Sequence, residues 1–139
     1  MRPEYYEGIL QLRNPSDKVL DYVEREIARD GKVRIAKTTR LKNGYDLELS
    51  SQAFLRGLGR KLREKFGGEL VLSSKAAGRN RHGKEQFRVN VLFRQYPFRK
   101  GSTVTYRGEQ YKVLETAHKV RIKSLETGKS ITVDYDSIS

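Results

Sequence analysis

The sequence predicts an α+β chain in two parts: a ferredoxin-like β-α-β-β-α-β module with one extra strand over residues 1–95, then a small SH3-like β-barrel over residues 96–139. Two observations carry this. In the first two-thirds, two stretches with apolar residues three and four apart are interleaved with stretches of period two. Past Pro97 only short alternating segments remain, divided by turn residues.

Tyr5 to Leu12 alternates and carries Tyr, Ile and Leu, and reads as the first strand. Asn14 and Pro15 turn the chain. Ser16 is placed to cap a helix, with Asp17 in the first turn, where the helix dipole favours a carboxylate. Val19, Leu20, Val23, Ile27 and Ala28 form its apolar stripe, and Gly31 ends it. Lys32 to Leu41 and Tyr45 to Leu49 are the next two strands. A three-residue connection, Lys42 to Gly44, would set Leu41 against Tyr45, Thr39 against Leu47 and Arg40 against Asp46. A two-residue Asn43-Gly44 turn would set Leu41 against an acid, so the longer connection is preferred.

Ser51 caps a second helix in which Phe54, Leu55, Leu58, Leu62 and Phe66 are the buried stripe, and Gly67 and Gly68 stop it. Gly57 and Gly59 inside it each cost roughly 1 kcal/mol relative to Ala, so both are expected to mark close packing on the sheet. Leu70 to Lys75 and Gln86 to Arg94 are two more strands, separated by a loop from Ala76 to Glu85. The barrel strands are Thr103 to Tyr106, Tyr111 to Glu115, Lys119 to Leu125 and Ser130 to Tyr135. A barrel of roughly 40 residues lies near the lower limit for independent folding. It is therefore expected to lean on the first module or to continue beyond Ser139.

The chain has 29 Lys plus Arg against 17 Asp plus Glu in 139 residues, a formal charge of +12. That excess points to a polyanionic partner. No apolar run approaches the ~18 residues of a spanning helix, and no secretory h-region is present, which favours nucleic acid over membrane and a cytoplasmic location. The absence of Cys excludes disulfides, thiolate nucleophiles and Cys-based zinc sites within these residues.

Three basic surfaces are candidates for contacting RNA. The first is Lys75 to Arg88, with Lys75, Arg79, Arg81, Lys84 and Arg88 against the single acid Glu85; Gly78, Asn80 and Gly83 make it adaptable. The second is a strand face with Lys32, Arg34, Arg40 and Lys42, partly neutralised by Asp46 and Glu48 and joined across the sheet by Arg88 and Arg94. The third is the second helix, with Arg56, Arg60, Lys61, Arg63 and Lys65. Lys119, Arg121 and Lys123 add a smaller stripe on the barrel, opposite Val120 and Ile122. Tyr5, Tyr6, Tyr96, Phe98, Tyr106 and Tyr111 could stack on bases, but their strand patterns favour core packing, so backbone and shape recognition is expected over base readout. Neither His82 nor His118 has a carboxylate at a spacing that would make an acid–base pair, and there is no phosphate loop, so no catalysis is expected.

The stretches YYEGILQLR, SSQAFLRGLGRKLREKFGGEL and SSKAAGRNRHGKEQFRVNVLFRQYPFRKGSTVTY resemble the middle of the nonsense-mediated-decay-protein-three family, the large-subunit export adaptors of eukaryotes, which has archaeal homologues. The positions that carry the resemblance are Ser74, Lys75, Gly78, Gly83, Lys84, Arg88, Arg94, Pro97, Phe98 and Gly101. It implies a non-catalytic adaptor on the joining face of the large ribosomal subunit, acting in large-subunit biogenesis or quality control, whose partners are ribosomal RNA and proteins rather than a membrane or a small molecule; a monomer is the expectation, with the oligomeric state left open by the residues. It further implies that the first module resembles a ribosomal protein of the twenty-two class and that the barrel resembles part of translation factor five-A. An archaeal member is the expectation. The family begins with CxxC pairs that hold zinc; this chain has no Cys, so no cofactor is expected here and zinc only in an N-terminal part outside these residues. The family's export and import signals are not recognisable. Two other readings remain open: an RNA-recruiting module of an RNA-modifying enzyme, and a protein-interaction module whose charge supplies only steering.

Overall fold

Ser16 and Ser51 start the two helices as their side chains suggest. Each hydroxyl accepts a backbone N–H three residues on, from Val19 at 3.3 Å and from Phe54 at 3.2 Å, replacing a bond the first turn cannot make for itself. In the computed structural model, which describes residues 5–79, 81–117 and 119–138, these helices are α1 (Asp17–Asp30) and α2 (Gln52–Phe66). Asn80 and His118 lie outside the described residues. Gly31 closes α1 in the left-handed conformation, its N–H returning to the Ile27 carbonyl.

Five strands make the first sheet: β1 (Gly8–Arg13), β2 (Ile35–Leu41), β3 (Gly44–Leu49), β4 (Glu69–Arg79) and β5 (Glu85–Arg94), in the order β2-β3-β1-β5-β4. The β2-β3-β1 part is the split βαβ of a ferredoxin-like module. The extra strand is inserted, not appended: β5 lies parallel to β1, and β4 takes the sheet edge antiparallel to β5. Leu10, Leu12, Leu49, Val89, Val91 and Phe93 face the two helices and meet Val19, Val23, Leu55, Leu58 and Leu62 in one core.

Gly59 and Gly57 behave differently. A Cβ at Gly59 would meet Val91 Cγ1 at 2.7 Å and Leu70 Cδ1 at 3.1 Å, so this glycine lets α2 sit close on β4 and β5. Gly57 has nothing within 4 Å of such a Cβ, and the expectation of close packing fails there.

The β2–β3 register differs from both expected alternatives. Leu41 pairs with Gly44, Arg40 with Tyr45, and Thr39 with Asp46, so the turn is Lys42-Asn43 and Gly44 belongs to the ladder. The cause is the neighbouring strand: β1 passes so close that a Cβ on Gly44 would lie 1.8 Å from the Leu12 carbonyl oxygen. A register shift between Ile35 and Lys37 then changes which β2 side chains share a face.

The second sheet is a meander of β6 (Thr103–Tyr106), β7 (Glu109–Thr116), β8 (Val120–Ser124) and β9 (Ser130–Val133), followed by a 3₁₀ turn at Tyr135–Ser137. Phe98, Val104, Val113, Val120, Ile122, Val133 and Tyr135 form its own core, as a small SH3-like unit requires. It leans on the first sheet. Tyr135 is 3% exposed, and its hydroxyl lies 2.7 Å from the carbonyl of Gly68, just past α2, and 2.7 Å from that of Ala117. Tyr96 stacks on Tyr135 at 4.6 Å between ring centroids, and its hydroxyl donates to Asp136 at 3.1 Å. Burial first, then that bond, pushes the Tyr96 hydroxyl up to about 12.

Candidate nucleic-acid interface

Half of the segment expected as a loop from Ala76 to Glu85 is strand. β4 runs on to Arg79 and β5 begins at Glu85, with the ladder pairing Lys75 with Arg88, Ala76 with Phe87 and, after a bulge, Arg79 with Glu85. The Arg79 guanidinium donates to the Gly83 carbonyl at 2.8 Å and clasps the turn. Gly78 and Gly83 take positive φ there, the bulge and the tip being the two places that demand it. The hairpin thus presents its cations on a defined frame instead of an adaptable loop. β1 pairs β5 only from Gly8↔Val89 onward. Glu85 to Arg88 therefore carry the hairpin about 14 Å past the end of β1.

On this overhang Lys75, Arg79, Arg81, Lys84 and Arg88 are exposed. Lys75 and Arg88 stand directly opposite each other, a like-charge pair that costs stability in a hairpin. Arg88 lies over the Tyr6 ring, 4.0 Å from its centroid, and its Nε donates to the Tyr6 carbonyl. At the root a cavity of about 330 Å³ is lined by Tyr5, Tyr6, Glu7, Gln52, Phe87 and Arg88. Gln52 fixes it from α2: its backbone N–H donates to Glu7 and its side-chain amide to the Phe87 carbonyl, both at 2.8 Å. Tyr5 donates to the Glu7 carboxylate, which raises the Tyr5 hydroxyl above its ordinary value.

The expected platform on β2 does not form. Lys32 and Arg34 precede β2, Lys42 is in the turn, and Arg40 shares the helix-side face with Tyr45. Lys37 is the β2 cation that shares a face with Glu48. Two strands, β3 and β1, separate β2 from β5, so the cations of β2 cannot join Arg88 and Arg94 in one patch. Arg94 is also committed elsewhere. It lies beside Arg13 on the open sheet face, and each is held by an acid from a flanking strand: Arg94 by Glu69 at 3.4 Å, within ion-pair range though not aligned as a hydrogen bond, and Arg13 by Asp46 at 2.8 Å.

On the barrel, Arg121 and Lys123 are the outward residues of β8 as expected, and Lys119 sits just before it, 3.5 Å from Asp134. Lys112 pairs with Lys123 across β7 and β8 and extends the stripe; Glu115 opposes Arg121 and weakens it.

Among the aromatics, Phe98 is buried, Tyr96 packs on the barrel core, and Tyr106 and Tyr111 meet edge-on. Tyr5, 63% exposed, stands out in the open. Phe87 was not singled out from sequence; it shares the face of Val89, Val91 and Phe93 but is 49% exposed because the hairpin outruns the helices.

Among the described residues there is no group of three or more His, Cys, Asp or Glu that could hold a metal ion. No helix among them is long and apolar enough to cross a membrane. Compared with known families, residues 5–94 match the model described as NMD3, second domain. No curated protein matches the chain.

Proposed function

This chain belongs to the NMD3 family, a family of ribosome-associated adaptors, and from that premise we propose that it is a non-catalytic module that binds the large ribosomal subunit through ribosomal RNA. The observation that carries the reading is the β4–β5 hairpin, an overhang that holds five cations, two of them in a repulsive cross-strand pair, against one acid. A fold retains such a pair at a cost when an anion relieves it. Phosphates of structured RNA are that anion, and a stiff ribbon is a shape that enters or straddles a groove. The barrel, with Lys119, Arg121 and Lys123, supplies a second and weaker contact, to RNA or to a ribosomal protein. Lys32, Arg34, Arg40 and Lys42 are peripheral.

The test is co-sedimentation of the purified chain with large subunits across a salt series. Binding should weaken steeply with salt, and R79E/R81E should lower it at least tenfold while the fold stays intact. Equal affinity for random single-stranded RNA and for large subunits would overturn the ribosomal reading; indifference to R79E/R81E would remove the hairpin from it.

A further inference from the structure

The cations of α2 divide between its two flanks, and the two sets have different fates. Lys61 and Lys65 face α1: Lys61 bonds Glu26 at 2.9 Å and Lys65 lies over the Tyr22 ring at 5.3 Å. Arg56, Arg60 and Arg63 recur at i, i+4 and i+7, in line with Gln52, and so share the opposite flank, toward the edge strand β4. None of the three is in an ion pair with a described residue. The row begins at Gln52, in the cavity at the hairpin root, and ends at Arg63, in a second cavity of about 420 Å³ between α2 and the barrel.

That second cavity is built by the junction of the two modules. Arg63, Lys65 and Phe66 come from α2, Arg99 and Lys100 from the connection into the barrel, and Thr116 from the end of β7. Gly67 closes it tightly: a Cβ there would meet Thr116 Oγ1 at 3.1 Å and the Arg99 Cβ at 3.3 Å. Arg99 and Lys100 are exposed and likewise have no acid in ion-pair range among the described residues. Two acids, Glu64 and Glu115, share the walls, so cations outnumber them two to one.

We propose that this row is a track for one RNA strand, its backbone running from the hairpin root along Arg56, Arg60 and Arg63, with a phosphate held between the modules by Arg63, Arg99 and Lys100. The inference deepens the RNA reading given above and rests on it. From Gln52 to Arg63 the row spans about 16 Å along α2. At roughly 6 Å between consecutive phosphates of one strand, it is long enough for three. The junction clamp also gives the contact of the barrel with the end of α2 a purpose: it holds the last two cations in register with the first three.

The experiment measures affinity of the full chain for large subunits, and for an RNA fragment that it protects, as a function of salt. R56Q/R60Q/R63Q should reduce the magnitude of the log–log salt slope by about 2 and affinity at 0.1 M salt by about a hundredfold, since each phosphate contact contributes ~0.7 to the slope. R99Q/K100Q, which takes two of the three cations from one phosphate, should reduce the slope by about 0.7. All five are exposed or half-buried side chains without ion pairs, and circular dichroism checks that the fold is retained. If wild type binds and R79E/R81E abolishes binding, while both track variants keep the wild-type slope, the track is overturned and the hairpin reading stands. If wild type shows no salt-dependent RNA binding, the RNA reading itself has failed.

Discussion

Alanine at Gly57 and at Gly59 should have unequal effects on stability, although the two residues sit two apart in one helix. Both substitutions gain the same intrinsic helix propensity, about 0.8 to 1 kcal/mol. Gly57 has open space where the methyl would go, so G57A should stabilise by roughly that amount. At Gly59 the methyl would stand 2.7 Å from Val91 Cγ1. Val91 is fully buried in a central strand and cannot rotate clear, and Leu70 closes the other side at 3.1 Å. Overpacking of this kind costs typically 1 to 3 kcal/mol, so G59A should be neutral or destabilise by up to about 2. Because propensity cancels, the difference between the variants isolates the packing cost. With a urea m-value of about 2 kcal/mol/M, that difference separates the midpoints by roughly 0.5 to 1.5 M. Equal midpoints, or two increases of the same size, would show that α2 is not pressed on the sheet at Gly59.

Tyr135→Phe removes a buried hydroxyl that bridges Gly68 and Ala117, and should lower stability by about 1 to 3 kcal/mol in denaturant melts while the ring stacking persists. Glu26 is held below the ordinary carboxylate range first by its bond to Lys61 and then by Arg29, against a desolvation that works the other way. Its contribution is therefore present above the unfolded value and lost as pH falls through the lower folded one, so E26Q should flatten the acid limb of the stability profile below about pH 4. Lys75→Glu turns the repulsive pair with Arg88 into an attractive one; it should raise the melting temperature slightly, by the 0.2 to 1 kcal/mol of a cross-strand pair, and still weaken binding to large subunits. A variant that melted higher and bound as well would detach that pair from the interface.

The helices, their serine caps and the two-part division were legible because each rests on local chemistry: spacing, a hydroxyl at an N-cap, a run of short alternating segments. Strand pairing was not, because register is set by neighbours distant in sequence. Matching faces across the β2–β3 hairpin alone places Gly44 in the turn, and only the approach of β1 explains why it belongs to the ladder. That one error, with the shift near Ala36, put Arg40 on the wrong face and created a platform that the sheet order also forbids. The α2 row was visible as a charge run, but its meaning depends on which cations α1 neutralises, and no single segment of the sequence records that.

The charge of +12 acquires its sense from where the acids go. Asp46 is spent on Arg13, Glu69 on Arg94, Glu26 on Lys61 and Arg29, and Asp134 on Lys119. Three of those four acids sit where cations would otherwise crowd the sheet or the helix pair. On the hairpin overhang one acid, Glu85, stands among five cations, and among the described residues no ion pair reaches Arg56, Arg60 or Arg63 on the outer flank of α2. The surplus is thus a local property of two connected surfaces, and the same distribution separates folding from binding in their response to salt. Exposed and half-exposed ion pairs contribute about 0 to 1 kcal/mol each, so raising salt should change the melting temperature little. Binding through several phosphate contacts loses orders of magnitude over the same range, because each contact releases counterions from the RNA and that release gains less as salt rises.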